Sequence, residues 1–295
     1  MQLAGHDRYD YSAIPQRPVY HWPGGKRLAV YLAVNVEHFA FGEGLGAELG
    51  PSSPQPDVLN YAWRDYGNRV GVWRLLDTLD ALSLPSSCLI NTTIYDYCPE
   101  VVAAFQNRGD EIVGHGRSNA ERQGTLAETE EAALIHEATA AIRQHEGKPP
   151  TGWLGPWISQ SRVTPDLLQE AGYTYMLDWC MDDQPVWCRT RGGRILAVPY
   201  PQELNDIPAI VARKIEGDTF AGMIIAQFDE MLAQAEKGPL VMGIALHPYI
   251  VGQPFRLRWL RRALEHIAAQ RERIWLTRSG EIAGYCAGLP AGTVL

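Results

Sequence analysis

The chain has 295 residues, 46% of them hydrophobic and 20% charged, enough to bury one large core or at most two. Its formal charge of -8 and the lack of any basic block argue against a nucleic-acid backbone as the main partner. The longest apolar runs, at 28–34 and 240–246, fall far short of the roughly 20 residues that a membrane-spanning helix needs.

In chain order, residues 1–27 read as a polar, proline-containing arm where a secretory signal would show a basic end and then an apolar stretch, so a cytoplasmic location is expected. The first strand is predicted at Leu28 to Val36, followed by a Gly-, Pro- and Ser-rich loop from Gly42 to Asp57. Gly42, Gly44 and Gly46 make no dinucleotide fingerprint, because no helix follows them. Further strands are expected at Ser87 to Asn91, Glu111 to Gly114, Gly152 to Leu154, Thr174 to Leu177, Ile195 to Val198, Leu240 to Leu246 and Arg273 to Thr277. Thr125 to Glu128 reads as a capping box opening a helix that runs to Gly147, and Thr164-Pro165-Asp166 opens another that stops at Gly172. Helical stripes recur at Ile224, Phe228, Met231 and Ala235, and again at Leu257, Leu260, Leu264 and Ile267. Five cysteines without CxxC or CxxH spacing signal neither a disulfide framework nor a structural zinc site. The alternation predicts an α/β chain: one distorted parallel barrel over residues 28–295 behind the arm.

In such a barrel the chemistry sits at the C-terminal ends of the strands. Polar residues follow the apolar runs at Asn35-Val36-Glu37-His38, at His115 to Asn119, at Pro156-Trp157, at Asp178-Trp179 and at His247-Pro248. Asn35 and Glu37 are two apart and share a face of the strand, with His38 on the other. His115 and Asn119 have the spacing of a metal-holding HxxxH pair, but Asn is a poor ligand, which leaves Glu37 and His115 as the strong donors where catalytic zinc takes three.

These residues, in this order, resemble the polysaccharide deacetylase superfamily (NodB-homology, carbohydrate esterase family 4), over about residues 28–283. The segments LAVNVEHF, YGNRVGVWRLL, EIVGHGRSN and LHPYIVGQPFRLRWL carry the likeness. Its cofactor-independent allantoinase branch is nearest, on the Asn-x-Glu after the first strand. The resemblance implies a distorted (β/α)7-type barrel and hydrolysis of a carbon–nitrogen bond other than a peptide bond. In metal-dependent members two aspartates and an HxxxH pair supply a base and three ligands, where this chain has Asn35, Glu37, His115 and Asn119; an Arg-x-Pro motif reads Leu154-Gly155-Pro156. Beyond GHG the chain also departs from the allantoinase pattern.

The resulting expectation is a small-molecule amidohydrolase acting on a cyclic amide, ureide or acylated amine. Glu37 is its general base, His247 its general acid and His115 with Asn119 its polarising groups. Asp178 orients a histidine or binds substrate nitrogen, and Asn35, Tyr66, Arg69 and Trp157 contact substrate, all in one pocket. No cofactor is expected; a divalent ion such as zinc, on Glu37 and His115, belongs to the alternative of a metal-dependent carbohydrate or peptidoglycan N-deacetylase. A non-catalytic binding protein of the same fold is the third reading. The expected partner is a small molecule, without nucleic acid or membrane; a homo-oligomer is compatible.

Overall fold

Strand β1 (Leu28–Val36) is buried along its whole length, as an apolar run in a parallel sheet covered on both faces must be. Alternation sorts its side chains: Leu28, Val30, Leu32, Val34 and Val36 pack with the helices, while Ala29, Tyr31 and Ala33 pack in a second cluster inside the barrel. The computed structural model describes residues 5–42, 45–51 and 54–295; positions 1–4 of the arm, and 43–44 and 52–53 of the predicted long loop, lie outside the described residues.

After β1 come α1 (Val58–Tyr66), α2 (Val72–Ala81), β2 (Ser87–Ile90), α3 (Ile94–Tyr97), α4 (Pro99–Arg108), β3 (Glu111–Gly114), α5 (Glu128–Glu146) and β4 (Gly152–Trp153). Then follow α6 (Thr164–Glu170), β5 (Tyr175–Met176), β6 (Val186–Thr190), β7 (Gly193–Ala197), α7 (Gly217–Gln234), β8 (Leu240–Leu246), α8 (Pro248–Val251), α9 (Pro254–Ala268), β9 (Trp275–Thr277) and α10 (Ser279–Ala287). The sheet order is β6-β7-β5-β4-β3-β2-β1-β8, with β9 on the first half of β1. All pairings are parallel except β6 with β7.

The open edges of the sheet are β6 and β8, and loops cover the free edge of β8. The backbone N–H groups of Val241 and Ala245 donate to the carbonyls of Asp183 and Leu204, each at 2.9 Å, where a neighbouring strand would otherwise pair. From the arm, the Trp22 indole donates to Leu240 O at 3.0 Å, and Arg8 and Arg17 pair with Asp166 and Asp182.

Two sequence expectations are corrected. The hairpin strand β6, with the run Val186-Trp187-Cys188-Arg189-Thr190, falls outside the predicted strands and pairs antiparallel with β7. The helix predicted to be capped by Thr125 starts at Glu128, since the Thr125 hydroxyl donates to Arg122 O in a preceding 3-10 turn; Glu130 instead accepts the Ala127 N–H at 3.1 Å. Among the described residues no helix is long and apolar enough to cross a membrane.

Candidate active site

The alternation that builds the core also builds the site. On β1 the inward series Ala29, Tyr31, Ala33 continues into Asn35 and Glu37; on β8 the outward series Leu240, Met242, Ile244, Leu246 turns His247 inward; on β3, Val113 inside is followed by His115. Three strand ends therefore project Asn35, Glu37, His115 and His247 into one cavity of about 280 Å³, lined also by Asn119, Trp157, Tyr200, Asn205 and Tyr249. The register that sets Val34 beside Leu246 leaves Glu37 Oε1 3.5 Å from His247 Nε2, and His115 Nε2 lies 3.4 Å from the same oxygen.

Each ring is fixed from behind. His115 Nδ1 is 2.7 Å from Leu154 O; a carbonyl can only accept, so Nδ1 carries a hydrogen and the ring presents its Nε2 edge to Glu37. His247 Nδ1 is 2.5 Å from Asp206 Oδ1, while Asp206 Oδ2 accepts the His247 backbone N–H at 2.7 Å. Burial opposes charge on His247, but Asp206 and Glu37 overcome it and raise the ring well above the ordinary imidazole value. Burial likewise pushes the Glu37 carboxyl up, and the His247 charge with hydrogen bonds from both imidazoles outweighs it, holding the carboxyl well below the usual range. At neutral pH Glu37 is an anion facing an imidazolium.

Asn119 Nδ2 donates to Glu37 Oε1 at 2.6 Å, and its orientation is not free. Asn91 Oδ1 accepts the His38 N–H at 2.8 Å, so Asn91 Nδ2 must donate to His115 O and, at 3.1 Å, to Asn119 Oδ1. The Tyr249 hydroxyl donates to Glu37 Oε2 at 3.3 Å, Asn35 Nδ2 to the Tyr200 hydroxyl at 3.1 Å, and the Trp157 indole to Asn119 O at 2.8 Å.

Three expected site residues are not brought here. Asp178 shares the outward face of its strand with Met176, while Leu177 points inward, so its carboxylate lies behind the wall and accepts the Gly155 N–H at 2.7 Å. Tyr66 and Arg69 flank the helix face that meets α8, made of Gly67, Asn68 and Gly71. Asn68 Nδ2 donates to Glu37 O at 2.8 Å, whereas Arg69 is exposed and Tyr66 takes a hydrogen bond from Arg74. Gly67 and Gly71 are there because a Cβ at either would run into the backbone of Tyr249 or Pro248.

Sequence reasoning missed Asp206 and Tyr249. Tyr249 lies within the motif LHPYIVGQPFRLRWL. Asp206 follows the Ile195 to Val198 run at a distance of several residues, in Asn205-Asp206-Ile207-Pro208, well beyond the strand exit.

The donor set does not fit the expected metal alternative. Asn119 stands where a second histidine would complete an HxxxH pair and donates its amide hydrogen to Glu37 Oε1, and among the described residues no three His, Cys, Asp or Glu side chains are grouped to hold an ion.

Residues 60–176 match the polysaccharide deacetylase family. A protein of Schizosaccharomyces pombe named for the polysaccharide deacetylases is 26% identical over 89% of this chain and 91% of its own length. The peptidoglycan deacetylase of Helicobacter pylori is 23% identical over 84% and 93%. The crystal structure of PuuE allantoinase superposes with a TM-score of 0.81 at 26% identity, covering 96% of this chain and 99% of its own.

Proposed function

We propose that this chain, which carries a polysaccharide deacetylase domain and is a hydrolase of the deacetylase and amidohydrolase type, opens a carbon–nitrogen bond in a small uncharged cyclic amide, ureide or acylated amine. The observation behind this reading is the Glu37 anion set 3.5 Å from the His247 imidazolium in one small cavity. Amide hydrolysis needs such a divided pair, one group to take a proton from water and another to give one to nitrogen.

In the reaction, Glu37 takes a proton from water as its oxygen bonds to the carbonyl carbon. Asn119 has a second amide hydrogen, beyond the one given to Glu37, to offer the developing oxyanion. The carbon–nitrogen bond then breaks as His247 Nε2 protonates the leaving nitrogen. The products are a carboxylic acid and an amine or free urea nitrogen, and the proton on Glu37 passes back across 3.5 Å to reset His247.

Size and charge narrow the substrate. A cavity of about 280 Å³ suits a single small ring, and no Lys or Arg is among its described lining residues to receive a carboxylate or phosphate. The test is release of acid or ammonia from a panel of five-membered ureides, cyclic imides, N-acetylated amines and chitin oligomers. Turnover of a small neutral amide supports the reading. Activity confined to the N-acetylated oligomers would overturn it in favour of a carbohydrate N-deacetylase.

A further inference from the structure

We propose that Asp178 is a positioning residue for His115, acting through the peptide unit that joins Leu154 to Gly155. The two hydrogen bonds fall on opposite ends of one amide: His115 Nδ1–H donates to Leu154 O at 2.7 Å, and Gly155 N–H donates to Asp178 Oδ1 at 2.7 Å. A carboxylate drawing on the N–H of an amide makes its carbonyl a stronger acceptor, because hydrogen bonds in series polarise one another in a buried, poorly screening setting. His115 thus receives at second hand what His247 receives directly from Asp206, and the intervening peptide spans the wall that puts Asp178 outside the cavity.

Three further features fit this role. At Gly155 a Cβ would lie 2.8 Å from Asp178 Oδ1 and 2.8 Å from Ser159 O, so only glycine lets the carboxylate reach this peptide. Asp178 Oδ2 is buried and has no hydrogen-bond partner among the described residues, so the contact with Gly155 N–H is not incidental to a larger ion pair. Burial pushes the Asp178 carboxyl up to about 7, and the Gly155 N–H opposes that rise by favouring the anion.

The inference deepens the proposed function but is tested on the resting protein. In 15N-histidine-labelled protein the His115 Nδ1–H resonance is expected to be protected from exchange. It should move upfield in Asp178→Asn, which keeps an oxygen acceptor and loses the charge, and be lost in Asp178→Ala, with the His247 signals unmoved in both. Thermal melts check folding, and Asp178→Asn, nearly isosteric, carries the test if the alanine variant does not fold. With a turned-over amide, kcat of Asp178→Asn should fall about tenfold or more at unchanged KM. In a His115→Gln background the same change should cost nothing further. Absence of a protected His115 Nδ1–H in the wild type, a signal unmoved in both variants, or full additivity with His115→Gln overturns the relay. Failure of the wild type to hydrolyse any amide of the panel counts against the proposed function alone, since the resonance still decides the relay.

Discussion

His247 Nδ1 lies 2.5 Å from Asp206 Oδ1, and the other oxygen of the same carboxylate holds the His247 backbone N–H, so one side chain fixes both the ring and the strand end that bears it. The pair is fully buried, and it sets the charge of the ring that faces Glu37.

The first prediction follows from that charge. Activity requires Glu37 ionised and His247 protonated, and since Glu37 is lowered and His247 raised, the pH–rate profile should be flat through neutrality. Its alkaline limb should lie well above the usual imidazole titration. Asp206→Asn removes a charge that raises His247, so the alkaline limb should move down towards neutral pH. An unmoved limb in that variant would show that Asp206 does not govern the acid.

Replacing His247 by Gln keeps a hydrogen-bond donor of similar size but cannot deliver a proton. Turnover should fall by about two to four powers of ten while substrate affinity, measured by calorimetry, changes little. Glu37→Gln should do the same. Near-normal turnover in His247→Gln would make the histidine structural.

Because Asn119 occupies Glu37 Oε1 and no three ligating side chains are grouped among the described residues, prolonged chelation should leave turnover unchanged and added zinc should not raise it. Loss on chelation with recovery on zinc would return the chain to the metal-dependent reading.

Stability should depend on pH in two directions. The raised His247 contributes stability that is complete below the unfolded imidazole value near 6.5 and is lost as pH rises through its higher folded value. The lowered Glu37 contributes stability present above 4.5 and lost as pH falls towards its folded value. Urea melts across pH should show both losses, and the alkaline one should shrink in His247→Gln.

Gly71→Ala places a methyl against Pro248 O and should destabilise the fold by about 1–3 kcal/mol, with kcat reduced because α8 carries Tyr249 next to His247. Equal stability by denaturant titration would mean that the two helices separate freely.

Much of this molecule is determined by local pattern. The nine-residue run of β1 and the seven-residue run of β8 declare buried parallel strands, and the period of two along them places Asn35, Glu37 and His247 on one side before any fold is known. The same parity, carried through Met176-Leu177-Asp178, would have set Asp178 on the outer face. Tertiary structure alone decided the rest. Asp206 reaches His247 from 41 positions away, and whether Tyr66 and Arg69 or Gly67 and Asn68 face the site depends on how a helix rolls against α8. The physical reason is that sequence period fixes direction along one element, whereas the charge state of His247 and the orientation of the His115 ring are set by acceptors on other elements, which meet them only when the barrel closes.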